Sequence, residues 1–393
     1  EVHEGSRTHF KLRIRPAWLA CFVAALALYA ATASRGAQWQ DSGYFILRTV
    51  TGEAVNPLGL ALTHPLHFWL SRFAVRLGLT EPAFAITLIS SLAAAVAVAN
   101  LFGCVVTLTG NRMAALVVAA SLALANTFWH LATITETYTL TAALLTAECW
   151  CLILFVKSTG DCQATNSATQ VQAEWPARKL CLAFPGMFLF NGLSLANHNL
   201  ALLTVPVLAA AGLWAWYRGH IPTRFLALGL FLWFLGSSPY TVLVASEALR
   251  TGDWTGTLHS ALFGRMFGDQ VLCASISGQR MLISAGFVLL SFPNLFFPAA
   301  VYGLKVALRQ SHDSWLYRLL FLGLVTHALF AFRYPVPDQH YFFVPTYIFL
   351  SLFSGIGFAR WTTRPWASDA SPHQNTPTLF HNKMIILASL LIL

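Results

Sequence analysis

Apolar runs of span length, parted by short polar stretches, recur along nearly the whole chain. A helix needs ~20 mostly apolar residues to cross a bilayer. On that basis the pattern predicts spans near residues 17–34, 83–108, 113–131, 137–156, 181–196, 199–217, 223–243, 282–304, 315–332 and 341–359, with an incomplete one from 383 to the end. The run at 181–196 is short and interrupted by Pro185 and Gly186. The predicted fold class is all-α, a polytopic transmembrane helix bundle of about 11 spans. It reads as one membrane domain, 17–360, between a basic stretch, 1–16, and a polar linker, 361–382. The first run also resembles a signal peptide, since Lys11, Arg13 and Arg15 precede it and Ala31-Thr32-Ala33 follows. With ten further runs behind it, a retained first helix is expected.

The Lys and Arg residues orient the bundle, because cytoplasmic loops retain them. With the N-terminus inside and the spans alternating, eight fall outside: Arg35, Arg48, Arg72, Arg76, Arg250, Arg265, Arg280 and Arg333. The other sixteen of the 24 fall inside, and each short inside loop carries at least one. Two inside segments, 158–177 and 362–380, are polar and too poor in apolar residues to order themselves. The outside keeps two substantial loops, 35–82 and 244–281. In the first, Leu66, Trp69, Leu70, Phe73 and Leu77 recur at helical spacing, with Arg72 and Arg76 on another side. That pattern predicts an amphipathic helix lying in the interface.

Composition agrees: 56% of residues are hydrophobic and 10% charged, against roughly 25% charged in a soluble domain. The net charge of +9 comes from residues scattered singly or in pairs. That distribution suits anionic lipid, and no nucleic-acid partner is expected. The seven cysteines show neither zinc spacing nor a disulfide framework, and no internal repeat of the kind found in transporters is visible.

The acids and histidines provide an independent observation, because they played no part in setting the orientation. Asp41 follows the first span, His64 opens the amphipathic helix, and Glu136 and His198 occupy later outer turns. Asp253 lies in the second outer loop, and Arg333, Asp338 and His340 in the last outer turn. Each has a plainer reading as a helix cap, a loop charge or a helix anchor. Because the outer turns are short and flanked by apolar residues, the groups are expected to line a shared recess. There a carboxylate can remove a proton from an acceptor hydroxyl, while Arg or His stabilises a departing phosphate. Such a recess suits a lipid-linked donor. The amphipathic helix would frame a lateral opening for a polyprenyl tail. No Asp-x-Asp element marks a metal site, and neither a metal nor a cofactor is expected.

The same segments resemble the GT-C superfamily of membrane glycosyltransferases. More closely, they resemble a bacterial family related to the eukaryotic transmembrane O-mannosyltransferase that acts on plexin-type domains. The match runs through Asp41-Ser42-Gly43-x-Phe45, His64-Pro65, Thr127-Phe128-Trp129-x-x-Ala132, and Glu136-x-Tyr138-x-Leu140. It continues in Gly192 to His198, Ser238-Pro239-Tyr240, Asp253-Trp254, Asp338 and Pro345, and covers roughly 15–360. The resemblance implies an inverting transfer of a sugar, possibly mannose, from a polyprenyl phosphate to a hydroxyl of protein Ser/Thr or glycan. It implies Asp41 as catalytic base, with His64, Glu136, His198 and Asp338 holding sugar, acceptor or phosphate. Asp253, Arg333 and His340 join the substrate-binding set, Arg333 on charge and position alone. The implied location is the bacterial inner membrane, with the N-terminus in the cytoplasm and the site on the outer side.

The sequence departs from that family in two places. Tyr44 stands where the family usually has an acid, and His64-Pro65 continues Leu66-His67-Phe68 where the family has Pro-Gly-Tyr. The chain also ends inside an apolar run, Met384 to Leu393, where family members often continue into a further region. Two other readings stay open. A transporter or flippase of a lipid-linked substrate would rely on Glu148, the one acid at mid-span depth. An inactive membrane scaffold is the reading that Tyr44 keeps in play.

Overall fold

The computed structural model describes residues 2–363 apart from 37, 165–173, 276, 293 and 311–313, and for 2–13, 160–164 and 174–181 the backbone alone. The chain begins with α1 (Val2–Thr32). A first excursion follows, made of α2 (Gln40–Thr51), a 3-10 turn at Leu60–Leu62, and α3 (Pro65–Arg76). Next come α4 (Pro82–Thr109), α5 (Arg112–Leu124), α6 (Asn126–Thr133), α7 (Tyr138–Ala164) and α8 (Glu174–Asn197). A 3-10 turn at Asn199–Leu203 leads to α9 (Val205–Tyr217) and then α10 (Thr223–Thr251). The second excursion holds α11 (Trp254–Phe263), α12 (Gly268–Leu272) and α13 (Gly278–Ser291). The described part closes with α14 (Phe296–Arg309), α15 (Ser314–Arg333), a 3-10 turn at Gln339–Phe343, and α16 (Val344–Thr363).

The helices are all-α among the described residues, as the periodicity predicts. Six are long and apolar enough to cross a membrane, or up to eight when two bent pairs each count as one span. The span count of eleven is therefore not reached among the described residues. The run predicted at 113–131 is two helices, α5 and α6, meeting at 62°, because Ala125 leaves helical geometry with ψ 126°. The run at 282–304 is likewise broken, with α13 and α14 bent by 98°. The run at 199–217 splits into the 3-10 turn and the 13-residue α9. Of the polar segment 158–177, residues 158–164 continue α7 and 174–177 open α8, where the sequence predicts no order; residues 165–173 and 364–380, and the run at 383–393, lie outside the described residues.

Burial sorts the spans into a centre and a rim. The span windows of α4 and α16 are 83% and 94% buried, against 11% for α1 and 22% for α10. Small residues make the close centre possible. α4 contributes buried Ala93, Ala94, Ala95, Ala97 and Ala99, and small side chains let helices approach where lipid offers no hydrophobic drive. The predicted amphipathic helix is α3. Its Trp69, Phe73 and Leu77 are exposed, a stripe left for lipid, while His67, Phe68 and Ser71 turn inward.

Successive spans alternate in direction, so one end of the bundle gathers the last residues of α1, α6, α8, α10 and α15. The same end holds the first residues of α4, α7 and α16. The first excursion lies over it.

Candidate functional site

α2 presents the acid at the head of the first excursion. Gln40–Thr51 is helical with Asp41 in its first turn, where the helix dipole favours a carboxylate. Gly52 closes it in the left-handed region at φ 86°, its N–H donating to the Arg48 carbonyl. Gln38 fixes the approach to this helix. Its Nε2 donates 2.8 Å to Thr87 Oγ1 on α4, and its Oε1 accepts 2.8 Å from the Thr135 N–H beside Glu136. Ser42 Oγ then donates to Glu136 Oε1 at 3.2 Å. Glu136 is 5% exposed and lies in the turn between α6 and α7. Its N–H donates 3.0 Å to Ser90 Oγ, and Ser90 Oγ can return a bond to the Glu136 carbonyl.

The carboxylates sense one another. Burial, with the charge of Asp41, pushes the Glu136 carboxyl up to about 8 against the opposing bond from Ser42, and Asp338 adds to the rise. Asp338 is itself raised by burial and then by Asp41, and burial raises Asp41. Three acids that the sequence spreads over about 300 positions thus share one electrostatic environment. Among the described residues, no three His, Cys, Asp or Glu side chains form a group that could hold a metal ion.

The histidines form a second layer. His64 precedes Pro65, whose ring disfavours right-handed helical geometry at the residue before it. His64 adopts φ 49°, ψ 59°. It and Gln40 are the two described non-glycine residues with positive φ. Both flank the acid-bearing segment, and backbone strain of this kind clusters where structure serves a site. His64 Nδ1 lies 2.5 Å from the Asn197 carbonyl. A carbonyl only accepts, so Nδ1 carries the proton and Nε2 of the neutral ring is an acceptor. His198 is the reverse: its Nδ1 accepts from the Leu200 N–H at 3.1 Å, leaving Nε2–H as a donor. The two rings stand 5.0 Å apart. Burial keeps both neutral, pushing His64 down to about 4 and His198 well below its ordinary value. The pair therefore offers one acceptor and one donor without adding charge.

Several contributors lie outside the candidate set read from the sequence, although Tyr138 and Asn197 stand within the matched motifs. Asn197 Nδ2 donates to the Thr137 carbonyl at 3.0 Å and to Thr141 Oγ1 at 2.8 Å, fastening the end of α8 to the start of α7. Tyr138 packs its ring 5.3 Å from His198 and 5.7 Å from Tyr341. Tyr341 in turn lies 3.1 Å, hydroxyl oxygen to Nε2, from His130. Arg48, counted in the sequence as an outer topology charge, is 1% exposed. Its guanidinium donates to the carbonyls of Glu53, Ala54, Leu62 and Thr63, which folds the 53–63 loop back beneath His64.

The remaining candidates are not drawn into this cluster. Asp253 is an N-cap, accepting 2.8 Å from the Gly256 N–H and 3.0 Å from Thr255 Oγ1. Arg333 turns to the second excursion, donating 2.8 Å to the Cys273 carbonyl. His340 stacks on Phe287 at 4.8 Å, on the α13 side of the recess.

Solved structures share this arrangement of helices. A crystal structure of ArnT from Cupriavidus metallidurans bound to undecaprenyl phosphate aligns with TM-score 0.61 at 16% identity, over 88% of this chain and 60% of that one. The same protein in its apo state gives 0.62 at 15%, with the same coverage. The Archaeoglobus fulgidus oligosaccharyltransferase in its apo form gives 0.58 at 11%, over 95% of this chain and 55% of that one. The chain thus spans about 60% or less of the length of these neighbours. At such identity they establish the fold.

Residues 41–219, beginning at Asp41, match the family model described as the protein O-mannosyl-transferase TMEM260 N-terminal domain. The family match agrees with the resemblance to an O-mannosyltransferase read from the motifs. No curated protein matches the chain in sequence.

Proposed function

We propose that the chain is an inverting glycosyltransferase moving a sugar, with mannose the first candidate, from a polyprenyl-phosphate donor to a hydroxyl acceptor on the non-cytoplasmic face. The observation that carries this reading is the shared environment of Asp41, Glu136 and Asp338 beside the neutral pair His64 and His198. The Asp41 carboxylate takes the proton from the acceptor O–H as that oxygen attacks the anomeric carbon. The bond from that carbon to the phosphate oxygen breaks, and polyprenyl phosphate leaves with the electron pair. Raised by burial, the Asp41 carboxyl is a stronger base than a solvated one. Glu136, held largely protonated near neutral pH, donates a hydrogen bond to a sugar hydroxyl and adds little to the negative charge facing the phosphate. His64 and His198 read a donor–acceptor pair on the sugar. Support for a lipid-linked donor comes from the neighbour crystallised with undecaprenyl phosphate, and support for mannose and a protein acceptor from the O-mannosyl-transferase family match.

No observation favours a transporter. Glu148 is held by Asn191 Nδ2 at 3.1 Å, and Asn191 also donates 2.6 Å to Thr204 Oγ1 and accepts 2.8 Å from Trp233 Nε1. That network joins α7, α8 and α10 as packing would. The test is transfer from radiolabelled polyprenyl-phosphate mannose to a mixed protein and glycan acceptor extract, with wild type beside Asp41→Asn. Transfer by wild type alone is expected, whereas equal transfer by both would remove Asp41 from the chemistry.

A further inference from the structure

At the other end of the bundle the sequence places charge of the opposite kind. Lys305, Arg309 and Arg360, with Tyr302, Val306 and Gln310, line a recess of about 400 Å³. Four of these residues are α14 positions 302, 305, 306 and 309, the i, i+3, i+4, i+7 set that forms one helical face. Arg360 arrives from α16, sixteen residues beyond Val344, or ~24 Å along the helix from the end that carries Asp338.

The two helices can bring their cations together because they cross at glycine. A Cβ at Gly303 would run into the Phe353 carbonyl, and one at Gly357 into the Ala299 carbonyl.

Three features of this recess point to a ligand. First, no acid among the described residues pairs with the cations. Among the described residues, the ion pair found is Arg250 with Glu247, remote in sequence from this recess. Helix C-termini attract cations, but each is equivalent to only about half a negative charge. Two such ends offset about one of the three positive charges, and among the described residues no ion pair offsets the rest. Second, Tyr302 and Trp361 stack beside the cations at 5.8 Å with rings 11° apart, and Tyr and Trp are the residues that concentrate at headgroup depth. Third, an apolar stripe runs beside the charges. Val301 is 69% exposed and Leu308 40%, and they flank Lys305 at i−4 and i+3 on the same side of α14. A head with two acyl chains fits that arrangement, with the cations on the phosphate and the chains along Val301 and Leu308. A soluble phosphate would leave the stripe unused.

We propose that this recess binds the phosphodiester headgroup of an anionic membrane phospholipid, separately from the carboxylate-lined end and whatever donor that end takes.

The test is native mass spectrometry of the full chain titrated with phosphatidylglycerol, phosphatidylcholine or inorganic phosphate. Wild type is set beside Lys305→Gln/Arg309→Gln/Arg360→Gln and beside the control Arg218→Gln/Arg224→Gln, which removes two exposed cations outside the recess. Wild type is expected to hold phosphatidylglycerol in preference to phosphatidylcholine. The triple variant should lose roughly 100-fold in that affinity, from about tenfold or less per cation, while the control pair keeps it. Should the triple variant not purify folded, Arg360→Gln alone carries the test with a loss of several-fold. Undiminished phosphatidylglycerol binding by the charge-neutral variants would overturn the proposal, as would an equal loss in the control pair. Displacement of the lipid by inorganic phosphate at comparable concentration would assign the recess to a soluble anion instead.

Discussion

Asp41 and Asp253 both open a short helix in an excursion between spans, and on local sequence they are the same residue in the same setting. The structure uses them differently. Asp253 lies at the surface with its Oδ1 engaged by the Gly256 N–H and Thr255 Oγ1, and those bonds hold it below the ordinary carboxylate range. Asp41 caps nothing: the N-cap of α2 is Trp39, without a side-chain bond. Burial pushes the Asp41 carboxyl the other way, and its charge is felt by Glu136 and Asp338. The difference lies in what covers each helix. The first excursion is drawn onto the bundle by Gln38, Ser42, Arg48 and His64, each bonded to another element or across its own loop. The carboxyl is raised where its end of the loop is buried and lowered where it serves as an exposed cap.

The largest effect follows at Asp41. Asp41→Asn keeps shape and removes the base, so transfer should fall by about 10²–10⁴-fold with the thermal midpoint in detergent retained. Asp253→Asn, which can still cap, should leave transfer unchanged. Equal losses in the two variants would break the comparison.

Next is the fastening of the loops. Arg48→Met strips four carbonyls of their donor in a buried site and should cost about 3 kcal/mol, read as a lowered thermal midpoint together with a raised KM. Arg250, exposed and paired only with Glu247, gives the second-loop counterpart: Arg250→Met should not shift the midpoint measurably. A silent Arg48→Met would mean that the first excursion is held by something other than its guanidinium.

Much of this was legible in the chain before folding. The spans followed from length and apolarity. Asp41, Glu136, His198 and Asp338 could be placed at one end because polar residues between two spans have nowhere else to go. What escaped depended on tertiary packing. Arg48 reads as a topology charge until the 53–63 loop lays its carbonyls around it. The breaks between α5 and α6 and between α13 and α14 leave hydropathy untouched, since a bent span is as apolar as a straight one. The helix α2 is too short and polar to stand out from loop. Arg333 is a reasonable choice for phosphate from charge alone, but its guanidinium is directed by the Cys273 carbonyl, which belongs to a loop about 60 residues earlier. Asn197 and Tyr138 stand within matched motifs beside the candidates, and their partners in the fold give them a role.

A smaller effect concerns pH. Glu136 has its carboxyl raised from 4.5 to about 8 in the folded protein, so between those values the native state binds a proton that the unfolded chain has released. Stability from this group is fully present below pH 4.5 and declines as pH rises toward 8, by at most ~1.4 kcal/mol per pH unit. Glu136→Gln should flatten that part of the stability profile while keeping an acceptor for Ser42. Asp253→Asn should leave the slope between pH 4.5 and 8 intact, since a carboxyl held below its ordinary value titrates beneath this window. A slope that survives Glu136→Gln would assign the proton to Asp41 or Asp338, and so sharpen which acid of the cluster is kept neutral.

The smallest effect tests whether the two excursions are as independent as their acids suggest. Asp253→Ala removes the cap of α11, and amide exchange at Gly256 and Thr257 should quicken as the first turn frays. The far end of the same helix is tied differently. Ser260 Oγ accepts from the Leu60 N–H at 3.0 Å, and the Ala261 carbonyl accepts from Asn199 Nδ2 at 2.7 Å and from the Tyr240 hydroxyl at 2.6 Å. Those bonds reach the turn before His64 and the residue after His198. Fraying should therefore stop before Ser260, leaving exchange at Ala261 and the transfer rate unchanged. If exchange instead quickens through Ala261 and KM rises with it, α11 is a strut beneath the histidine pair. The second loop would then share in holding the first one down.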